Sequence, residues 1–418
     1  MRNAVTSLGG FILDAMFKVS RFRSVIAVAA SVVAASVVAG GLVISVPASA
    51  GTRRQASGPT WSASTPGVPG ASITSLAGVT CLTTSDCWAV GDRFKTSSSS
   101  TGPALIEHFV GGRWVPVAAA PAQKGTLDEL SAVSCLSSAD CWAVGMRSGA
   151  HPGNLLEHYA GSGGWRAVGT PAPQGELAAV SCEPAEDQCW AAGSSRDFRA
   201  AITFHLVGGR WHYVKPATVS ASFVQVNGLG CESVDDCLLV GFITPKHGAG
   251  SALAERWNGH AWSRLAVGGE RAGGGSLAGV GCPQAGSRPA CWVVGQTVGK
   301  GSGIIPIHPL VERWNGSSLT LVDSPSGGPG DYPELMAVAC ANQTACQTVG
   351  SRGSGEDNAM VLTEGWDGSA WMREPSPSPL YGFRTLSGVA CPSPKDCWAV
   401  GEGLIRSGEG TRMVIEHF

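Results

Sequence analysis

The stretch Cys81–Gly91, which reads CLTTSDCWAVG, decides the fold because close copies of it recur along the chain. Two near-identical copies occupy residues 135–145 (CLSSADCWAVG) and 391–401 (CPSPKDCWAVG). All fourteen cysteines fall into seven such copies as close pairs, so the chain is built from seven repeats. The four looser copies begin at Cys182, Cys231, Cys282 and Cys340.

The spacing of the copies indicates the fold class. Successive first cysteines lie 54, 47, 49, 51, 58 and 51 residues apart. A period near fifty residues with several short β-like segments is typical of a β-propeller, in which each repeat forms one blade. The composition agrees, because 58 glycines and only 14% charged residues favour strands and turns over helices.

Each repeat divides into four strand candidates, A to D. Strand A follows the pattern L-x-x-V-x-C (residues 76–81), and its small intervening residues suit an innermost strand on which seven copies converge. Strand B follows the second cysteine, as in Trp88–Gly91. Strand C has apolar residues, then Glu with His or Arg, then an aromatic residue, as in Leu105–Phe109. A Gly-Gly or Asn-Gly turn leads to strand D, which opens with a tryptophan such as Trp114.

The two ends of the repeat region complement each other. The last repeat stops at Phe418, at the end of a strand C, and Trp61 supplies a strand D twenty residues before the first cysteine. Trp114 lies twenty-one residues before the next repeat's first cysteine, so the register agrees. We therefore predict an all-β, seven-bladed β-propeller of four-stranded blades over residues 59–418, closed by an N-terminal outer strand that completes the last blade.

The order of these elements resembles Kelch-type repeats across residues 59–418. It departs from them in having one glycine where Kelch repeats carry two (Gly91, Gly145, Gly401), and in the cysteine pair. The chain is also similar to secreted bacterial propeller proteins with no assigned activity. The resemblance implies the fold and no activity. The Tyr and His ligands of copper oxidases related to the Kelch group have no matching motif here, and we expect no cofactor and no metal.

Residues 1–50 have the pattern of a signal peptide. Lys18, Arg21 and Arg23 precede an apolar run over residues 25–46, and Ala48-Ser49-Ala50 then supplies an A-x-A cleavage site. We expect residues 51–58 to be a linker and the mature protein to be secreted or extracellular. The apolar run is also long enough to span a bilayer, so an N-terminally anchored form facing outside is the alternative.

The charge balance excludes one class of partner. Residues 1–50 contain four of the 29 lysines and arginines and one of the 31 acidic residues, so the remainder has a net charge of about −5. Nucleic-acid binders are usually basic, and we expect no nucleic-acid partner. A membrane partner is expected only if the N-terminal segment is retained, and the protein is expected to be a monomer.

An even number of cysteines in an exported chain indicates disulfides. The spacings are C-x5-C in five repeats, C-x6-C in one and C-x8-C in one, which puts the two sulfurs on facing strands of an A–B hairpin. Each seven-residue loop closed in this way adds about 2.4 kcal/mol in the chain-entropy model. The alternative is that the cysteines bind zinc or carry out redox chemistry, which would require cysteine pairs from different blades to lie close together. The predicted disulfides are Cys81–Cys87, Cys135–Cys141, Cys182–Cys189, Cys231–Cys237, Cys282–Cys291, Cys340–Cys346 and Cys391–Cys397.

Strand C carries a glutamate in six of its seven copies. A catalytic role is the first idea, but a residue repeated around a ring recurs at one radius in every blade. We instead expect these glutamates, and the histidines beside them, to form hydrogen bonds or ion pairs within or between blades. The glutamates are Glu107, Glu157, Glu255, Glu312, Glu364 and Glu416, and the histidines are His108, His158, His205 and His417.

Function is expected where the repeats differ. The B–C and D–A loops share one face of a propeller, here the loop face, and the A–B and C–D turns share the other, the turn face. The B–C loops vary, yet each has a cation shortly after its strand B glycine, and seven cations around one mouth would attract an anionic ligand. The alternative is that these are ordinary solvated loop charges. The cations are Arg93, Arg147, Arg196, Lys246, Lys300, Arg352 and Arg406.

Carboxylates around the sixth repeat form a second candidate site. Glycoside cleavage needs two carboxylates, one as acid and one as nucleophile or base. Any propeller has such loop residues, however, and the sequence contains no P-loop, G-x-S-x-G or zinc-protease motif. The weak catalytic candidates are Asp331, Glu334, Glu356 and Asp357, with Tyr332, Tyr381, Phe383 and Arg384 on the same face.

The sequence therefore favours an exported, non-enzymatic propeller that binds an acidic glycan, a cell-wall polymer or a protein through its loop face. A glycan-active hydrolase or lyase with its site on that face is the alternative. A purely structural protein is the third possibility, and its loop face would have neither a ligand-binding surface nor a catalytic carboxylate pair.

Overall fold

The computed structural model describes residues 60–67, 73–94, 101–218, 220–269, 274–283, 290–299, 306–325, 331–353, 359–377, 384–404 and 411–418. The predicted signal peptide and linker, residues 1–58, lie outside these ranges. The described residues form seven four-stranded antiparallel sheets, with one 3₁₀ turn at Gly161–Gly163 as their helical element. No helix among them is long and apolar enough to cross a membrane.

Six blades run along the chain from inner strand A to outer strand D, and the seventh takes its strand D from the N-terminal side. Blade 1 contains β2 (Ile73–Thr83), β3 (Asp86–Phe94), β4 (Leu105–Val110) and β5 (Arg113–Val117). Blade 2 contains β6 (Thr126–Ser137), β7 (Asp140–Gly149), β8 (Gly153–Ala160) and β9 (Trp165–Ala167). Blade 3 contains β10 (Gly175–Glu183), β11 (Gln188–Ser195), β12 (Ala201–Val207) and β13 (Arg210–Val214). Blade 4 contains β14 (Phe223–Ser233), β15 (Asp236–Thr244), β16 (Ser251–Trp257) and β17 (Trp262–Arg264).

Blade 5 contains β18 (Gly275–Gly281), β19 (Trp292–Val298), β20 (Ile307–Trp314) and β21 (Leu319–Leu321). Blade 6 contains β22 (Glu334–Asn342), β23 (Ala345–Arg352), β24 (Met360–Trp366) and β25 (Trp371–Arg373). Blade 7 contains β26 (Arg384–Ser393), β27 (Asp396–Leu404), β28 (Thr411–His417) and, as its outer strand, β1 (Ser62–Ala63).

The ring closes as predicted, because β1 pairs with the last strand of the chain. Ser62 lies opposite His417 in an antiparallel register, and the N–H of Ser64 donates to the carbonyl of Ile415 at 2.8 Å. The ring of Trp61 packs against that of Phe418 with centroids 5.4 Å apart. The predicted all-β, seven-bladed architecture with an N-terminal closing strand is confirmed.

Strand A has a β-bulge at the same place in every blade, which the L-x-x-V-x-C pattern did not lead us to predict. In blade 1 the register shifts between Leu76 and Gly78. A regular strand would put residues three apart on opposite faces, but the bulge adds one residue. Leu76, Val79 and Cys81 therefore share one hydrophobic cluster. The three-residue step from Leu to Val was the available signal.

The strand B glycine is required by the bulge. A Cβ on Gly91 would overlap the carbonyl oxygen of Ser75 on strand A, and the same overlap recurs in the other six blades. Small residues are also required on strand A, because the A strands of neighbouring blades pack against one another around the axis. A Cβ on Gly78 would lie 2.9 Å from the Cα of Ala132 in blade 2. The repeated small residues thus follow from backbone contact.

Neighbouring blades are joined by aromatic rings. Trp142 of strand B stacks on His158 of its own blade, with centroids 4.0 Å apart. Its edge meets Trp211, the strand D tryptophan of the next blade, at 5.3 Å and 84°. Such edge-to-face pairs add about 0.5–1.5 kcal/mol beyond their buried area. The same joint recurs as Trp88–Trp165, Trp190–Trp262, Trp292–Trp371 and Trp398–Trp114.

All seven predicted disulfides are present, and no cysteine is left over. Each one links strand A to strand B of a single blade at the turn face, with Cα atoms 3.9–4.1 Å apart. No disulfide joins two different blades, so each one stabilises the hairpin of strands A and B in its own blade.

We predict that Gly145→Ala lowers the free energy of unfolding by about 3 kcal/mol or more, because its Cβ would collide with the backbone of Glu129 and Leu130. Urea denaturation measures the change. Gly169→Ala is the matched control, since a Cβ at Gly169 meets nothing within 4 Å. Equal costs for the two substitutions would contradict the role of the bulge.

Candidate functional site

The strand C glutamates are fully buried and connect one blade to the next, which places them outside any shared active site. Each accepts hydrogen bonds from the segment that follows strand D of the preceding blade. The expectation of a hydrogen-bonding role is confirmed, and the bonds are between blades. The donors are the N–H groups of Gly67 to Glu107, Ala120 to Glu157, Ala217 and Thr218 to Glu255 and Gly269 to Glu312, and the hydroxyls of Ser324 to Glu364 and Ser376 to Glu416.

Blade 3 lacks this glutamate, and an apolar residue at the same position makes the contact with the preceding blade. Phe204 faces Ala191 in blade 3, as Glu107 faces Ala89 in blade 1. Phe204 is buried in a hydrophobic cluster that includes Val168, from the segment that follows strand D of blade 2. An apolar contact thus replaces the hydrogen bond at this one joint.

Burial changes the titration of two of these glutamates. It raises the pKa of Glu157 to about 7, against the lowering effect of the hydrogen bond from Ala120. It raises the pKa of Glu416 to about 7 as well, despite the hydroxyl of Ser376 and the charge of Arg384. A raised pKa is often a sign of catalysis, but here it follows from desolvation in a joint between blades.

The histidines next to the glutamates are also structural. Nε2 of His108 lies 2.8 Å from Oδ1 of Asp86, and its ring stacks on Trp88 with centroids 3.9 Å apart. Arg256 makes the equivalent contact in blade 4, with Asp236 at 2.8 Å. Among the described residues, no group of three or more His, Cys, Asp or Glu side chains is placed to hold a metal ion. The equivalent histidine pairs are His158–Asp140 and His417–Asp396. His205 departs from the expectation: it stacks on Trp190 at 4.2 Å, but its buried Nε2 has no hydrogen-bond partner among the described residues.

Two of the seven mouth cations are ion-paired rather than available to a ligand. Arg147 donates to both carboxylate oxygens of Asp128, at 2.9 and 3.1 Å. Arg352 donates to Asp331 at 3.3 Å. Asp128 is fully buried at the start of strand A, a position that a survey of cations alone overlooks. The loop face therefore carries mixed charge.

The remaining mouth cations divide into three groups. Arg196 and Lys246 are exposed in the B–C loops of blades 3 and 4. Arg93 is half-buried at the end of β3, and no described acidic group forms an ion pair with it. Lys300 and Arg406 lie outside the described residues. Binding by these cations stays a prediction.

The candidate carboxylates of blade 6 are in contrasting surroundings. Burial alone would raise the pKa of Asp331, but hydrogen bonds and charge from Arg373, at 2.7 Å, and from Arg352 lower it. Burial raises the pKa of Glu334, the first residue of β22. Tyr332, which lies between Asp331 and Glu334 in the sequence, is half-buried. Asp331 thus connects the entry of blade 6 to its strands B and D.

The other members of that group are harder to place. Arg384 begins β26 of blade 7, where its N–H donates to the carbonyl of Ala359 at 3.1 Å. Glu356, Asp357, Tyr381 and Phe383 lie outside the described residues. Catalysis by this group stays a prediction.

The structure reveals a cluster on the loop face that the sequence analysis missed, at the corner between blades 3 and 4. Phe198 in the B–C loop of blade 3 stacks on Phe223 at the start of β14, with centroids 5.8 Å apart and an interplanar angle of 15°. Phe223 in turn contacts the buried Phe242, at 6.1 Å. Phe198 and Phe223 are both half-buried, so they remain partly open to solvent.

The B–C loop that carries Phe198 is held in a defined conformation. Phe198 has a φ of 55°, a left-handed value that is uncommon for a bulky side chain. Its N–H donates to the carbonyl of Ser195 at 2.7 Å, and its carbonyl accepts from Val224 of blade 4 at 2.6 Å. The hydroxyl of Ser195 also binds Asp197 at 2.7 Å and lowers the pKa of that carboxyl. A strained residue so thoroughly fixed is characteristic of binding loops.

Exposed cations surround this aromatic pair. Arg196 and Arg199 flank Phe198 within the same loop, and Lys246 and His247 lie in the neighbouring B–C loop of blade 4. We call Phe198, Phe223, Arg196, Arg199 and Lys246 the blade 3–4 platform. No sequence signal joins residues 198 and 223, because their contact depends on the conformation of a loop that no other repeat shares.

No protein-family model matches the sequence, and no curated protein matches it. Solved structures show similarity of fold. The chain is similar to YCF48 bound to D1 peptide, with a TM-score of 0.50 and 13% identity over 86% of this chain and 96% of that one. It is similar to the WD40 beta propeller domain of Doa1, with a TM-score of 0.50 and 10% identity over 86% and 97%.

A third similar structure is a polysaccharide lyase, ulvan lyase of family PL25, bound to -[GlcA(1-4)Rha3S]-. Its TM-score is 0.51, with 12% identity over 81% of this chain and 90% of the lyase. Identities this low show a shared propeller fold and nothing more, because unrelated functions are common on one fold.

We predict that Glu157→Gln becomes more stable relative to the native chain as the pH rises from 4.5 to 7, by about 2–3 kcal/mol. The folded-state pKa of Glu157 is raised to about 7, so its contribution is full below pH 4.5 and is lost as the carboxyl ionises. Chemical denaturation across this range measures the difference. Asp323→Asn, at an exposed carboxylate, is the control, and parallel curves for Glu157→Gln and the native chain would contradict the prediction.

Proposed function

We propose that this chain is an exported, Kelch-like propeller that binds an acidic polysaccharide on its loop face, with the blade 3–4 platform as the main contact. Its seven disulfides support an oxidising, extracellular environment, where such staples form and persist. The observation that carries the proposal is the stacked pair Phe198–Phe223 among exposed cations.

The chemistry of the platform fits a charged sugar chain. Sugar rings present flat C–H faces that pack against aromatic rings, and Phe198 and Phe223 offer a partly exposed aromatic surface. Arg196 and Arg199 can bind carboxylate or sulfate groups with paired hydrogen bonds. The polysaccharide lyase of the same fold carries a glycan with an acidic sugar and a sulfate, which is compatible with this ligand class.

The turn face offers a natural contrast. There five of the seven disulfide hairpins have the same length, whereas the B–C loops of the loop face differ in length and sequence from blade to blade. A protein that recognises one ligand needs a surface on which positions are distinct. This asymmetry supports the loop face as the binding surface.

A glycan-active hydrolase or lyase is the second candidate. It is favoured by the opposite pKa shifts of Asp331 and Glu334, since carboxylate pairs with divergent pKa values suit acid–base chemistry. The two arginines that hold Asp331 favour a structural role instead. Reducing-end and unsaturated-product assays on bound polysaccharides test this candidate, and product that disappears in Glu334→Gln would establish it.

We predict that uronate- or sulfate-bearing polysaccharides bind the exported chain more tightly than neutral ones, with affinity that falls as salt rises. Arg196→Glu/Arg199→Glu should lower the affinity at least about tenfold, because two charge-assisted contacts become repulsive. Phe198→Ala should lower it about threefold to tenfold. Isothermal titration calorimetry measures each change.

The control for this experiment is Arg113→Glu/Arg210→Glu, which reverses two exposed arginines on the turn face. Arg93→Glu forms a further arm that tests the mouth cations separately. Unchanged binding in the platform variants, or an equal loss in the turn-face control, would rule out the platform. An effect of Arg93→Glu alone would move the site to the mouth.

A further inference from the structure

A pocket of about 240 Å³ opens on the turn face between blades 6 and 7. Gln347 of β23 and Gly365 of β24 form its inner wall, with Trp366 beside them. Glu374, which follows β25, and Phe418, at the end of the chain, complete the lining. This is the opposite face from the blade 3–4 platform.

Blade 6 lacks the ring pair that fills the place of this pocket in four of the other blades. In blades 1, 2, 3 and 7 a strand B tryptophan stacks on a strand C histidine, with centroids 3.9–4.2 Å apart. Gln347 faces Gly365 in blade 6, as Trp88 faces His108 in blade 1. Trp61, the ring that blade 7 contributes to this joint, is still present. Smaller groups therefore stand in place of an indole and an imidazole at this joint, and the carboxylate of Glu374 occupies part of the imidazole's position.

A further substitution makes the pocket polar. Glu374 follows strand D at a position that is apolar in blades 1 to 5. Its carboxylate accepts from Nε1 of Trp61 at 3.1 Å and from Nε2 of Gln347 at 3.4 Å. The apolar residues at the equivalent positions are Val117, Val168, Val214, Leu265 and Val322.

Gln347 forms a buried part of the pocket wall. Its relative exposure is 6%, and its Oε1 has no hydrogen-bond partner among the described residues. That oxygen is itself buried, so it is not open to a ligand in the pocket. Glu374 is half-buried, and its carboxylate is therefore the acceptor that the pocket offers.

We propose that the blade 6–7 pocket binds a flat ring that carries an N–H donor and a positive charge, of the aryl-ethylamine or imidazolium class. Trp366 and Phe418 provide aromatic walls for the ring, and the carboxylate of Glu374 accepts from its N–H and balances its charge. The ring is either that of a free amine or a side chain of a peptide, since both offer the same chemistry.

The charge of the pocket agrees with a cationic ligand. Glu374 and Asp367 both line it, against the single cation Lys395 among its described residues. Burial raises the pKa of Glu374 despite its hydrogen bonds from Gln347 and Trp61. A bound cation would favour the ionised carboxylate, so binding should strengthen as the pH rises through the pKa of Glu374.

Calorimetry with tryptamine, indole and toluene tests the proposal on the exported chain. We expect tryptamine to bind more tightly than indole, and toluene, which has no donor, to bind least. Glu374→Gln preserves the shape and should weaken tryptamine about tenfold while leaving indole within about threefold. Tighter binding of the tripeptide Lys-Trp-Lys than of tryptamine would identify a peptide side chain as the occupant.

Two variants test the pocket, one by filling it with side chains and the other by removing its acceptor. Gln347→Trp/Gly365→His restores the repeated ring pair and should abolish binding without loss of thermal stability. A Cβ on Gly365 meets only the flexible ends of Glu374 and Gln347 there, so the added side chain can be accommodated. Glu374→Val removes the acceptor, gives blade 6 the residue found at this position in blades 1, 2, 3 and 5, and serves as the second variant if the double variant misfolds.

The platform variant Arg196→Glu/Arg199→Glu is the matched control and should bind tryptamine normally. The proposal is overturned if none of the three rings binds at millimolar concentration, or if tryptamine binding is unchanged in both Gln347→Trp/Gly365→His and Glu374→Val. Because the platform is on the other face, this test is independent of polysaccharide binding.

Discussion

The edge-to-face contact between tryptophans joins five of the seven pairs of adjacent blades and is the main interaction between blades. Trp142 both stacks on a ring of its own blade and meets Trp211 of the next, so one side chain stabilises a sheet and also positions its neighbour. The innermost strands add a second constraint, because their backbones touch and admit only small residues. Together these contacts determine most of each repeat, and they leave the loops free to differ.

Much of the fold could be predicted because it depends on local spacing. The cysteine pairs indicated the inner hairpins, and the matching registers of Trp61 and Trp114 indicated closure. The bulge at Leu76–Gly78 was not predicted, although the three-residue step from Leu76 to Val79 is its signal in the sequence. The pairing of Arg147 with Asp128 was also missed, since charges were counted on one strand and their neighbours on the adjacent strand were not.

The sites are less predictable for a physical reason. A repeat shows what is shared, whereas binding surfaces arise where one copy departs from the others. The contact between Phe198 and Phe223 requires a left-handed residue in a loop without an equivalent. The pocket of blade 6 arises from three changes, at Gln347, Gly365 and Glu374, that are adjacent only after folding. Comparing aligned repeats for residues that interrupt the pattern would have found that pocket, but not the platform.

The closing strand also sets an order of assembly. Ser62 and His417, which are partners in blade 7, are separated by 355 residues, so their pairing awaits the end of the chain. Each disulfide spans only six to nine residues and can form as soon as its own hairpin has emerged. The short-range contacts within the hairpins should therefore form before the long-range contact that closes the ring. Until then the outer edge of β28 lacks the partner that β1 supplies. During that interval the last blade is the part of the molecule most exposed to pairing with another chain.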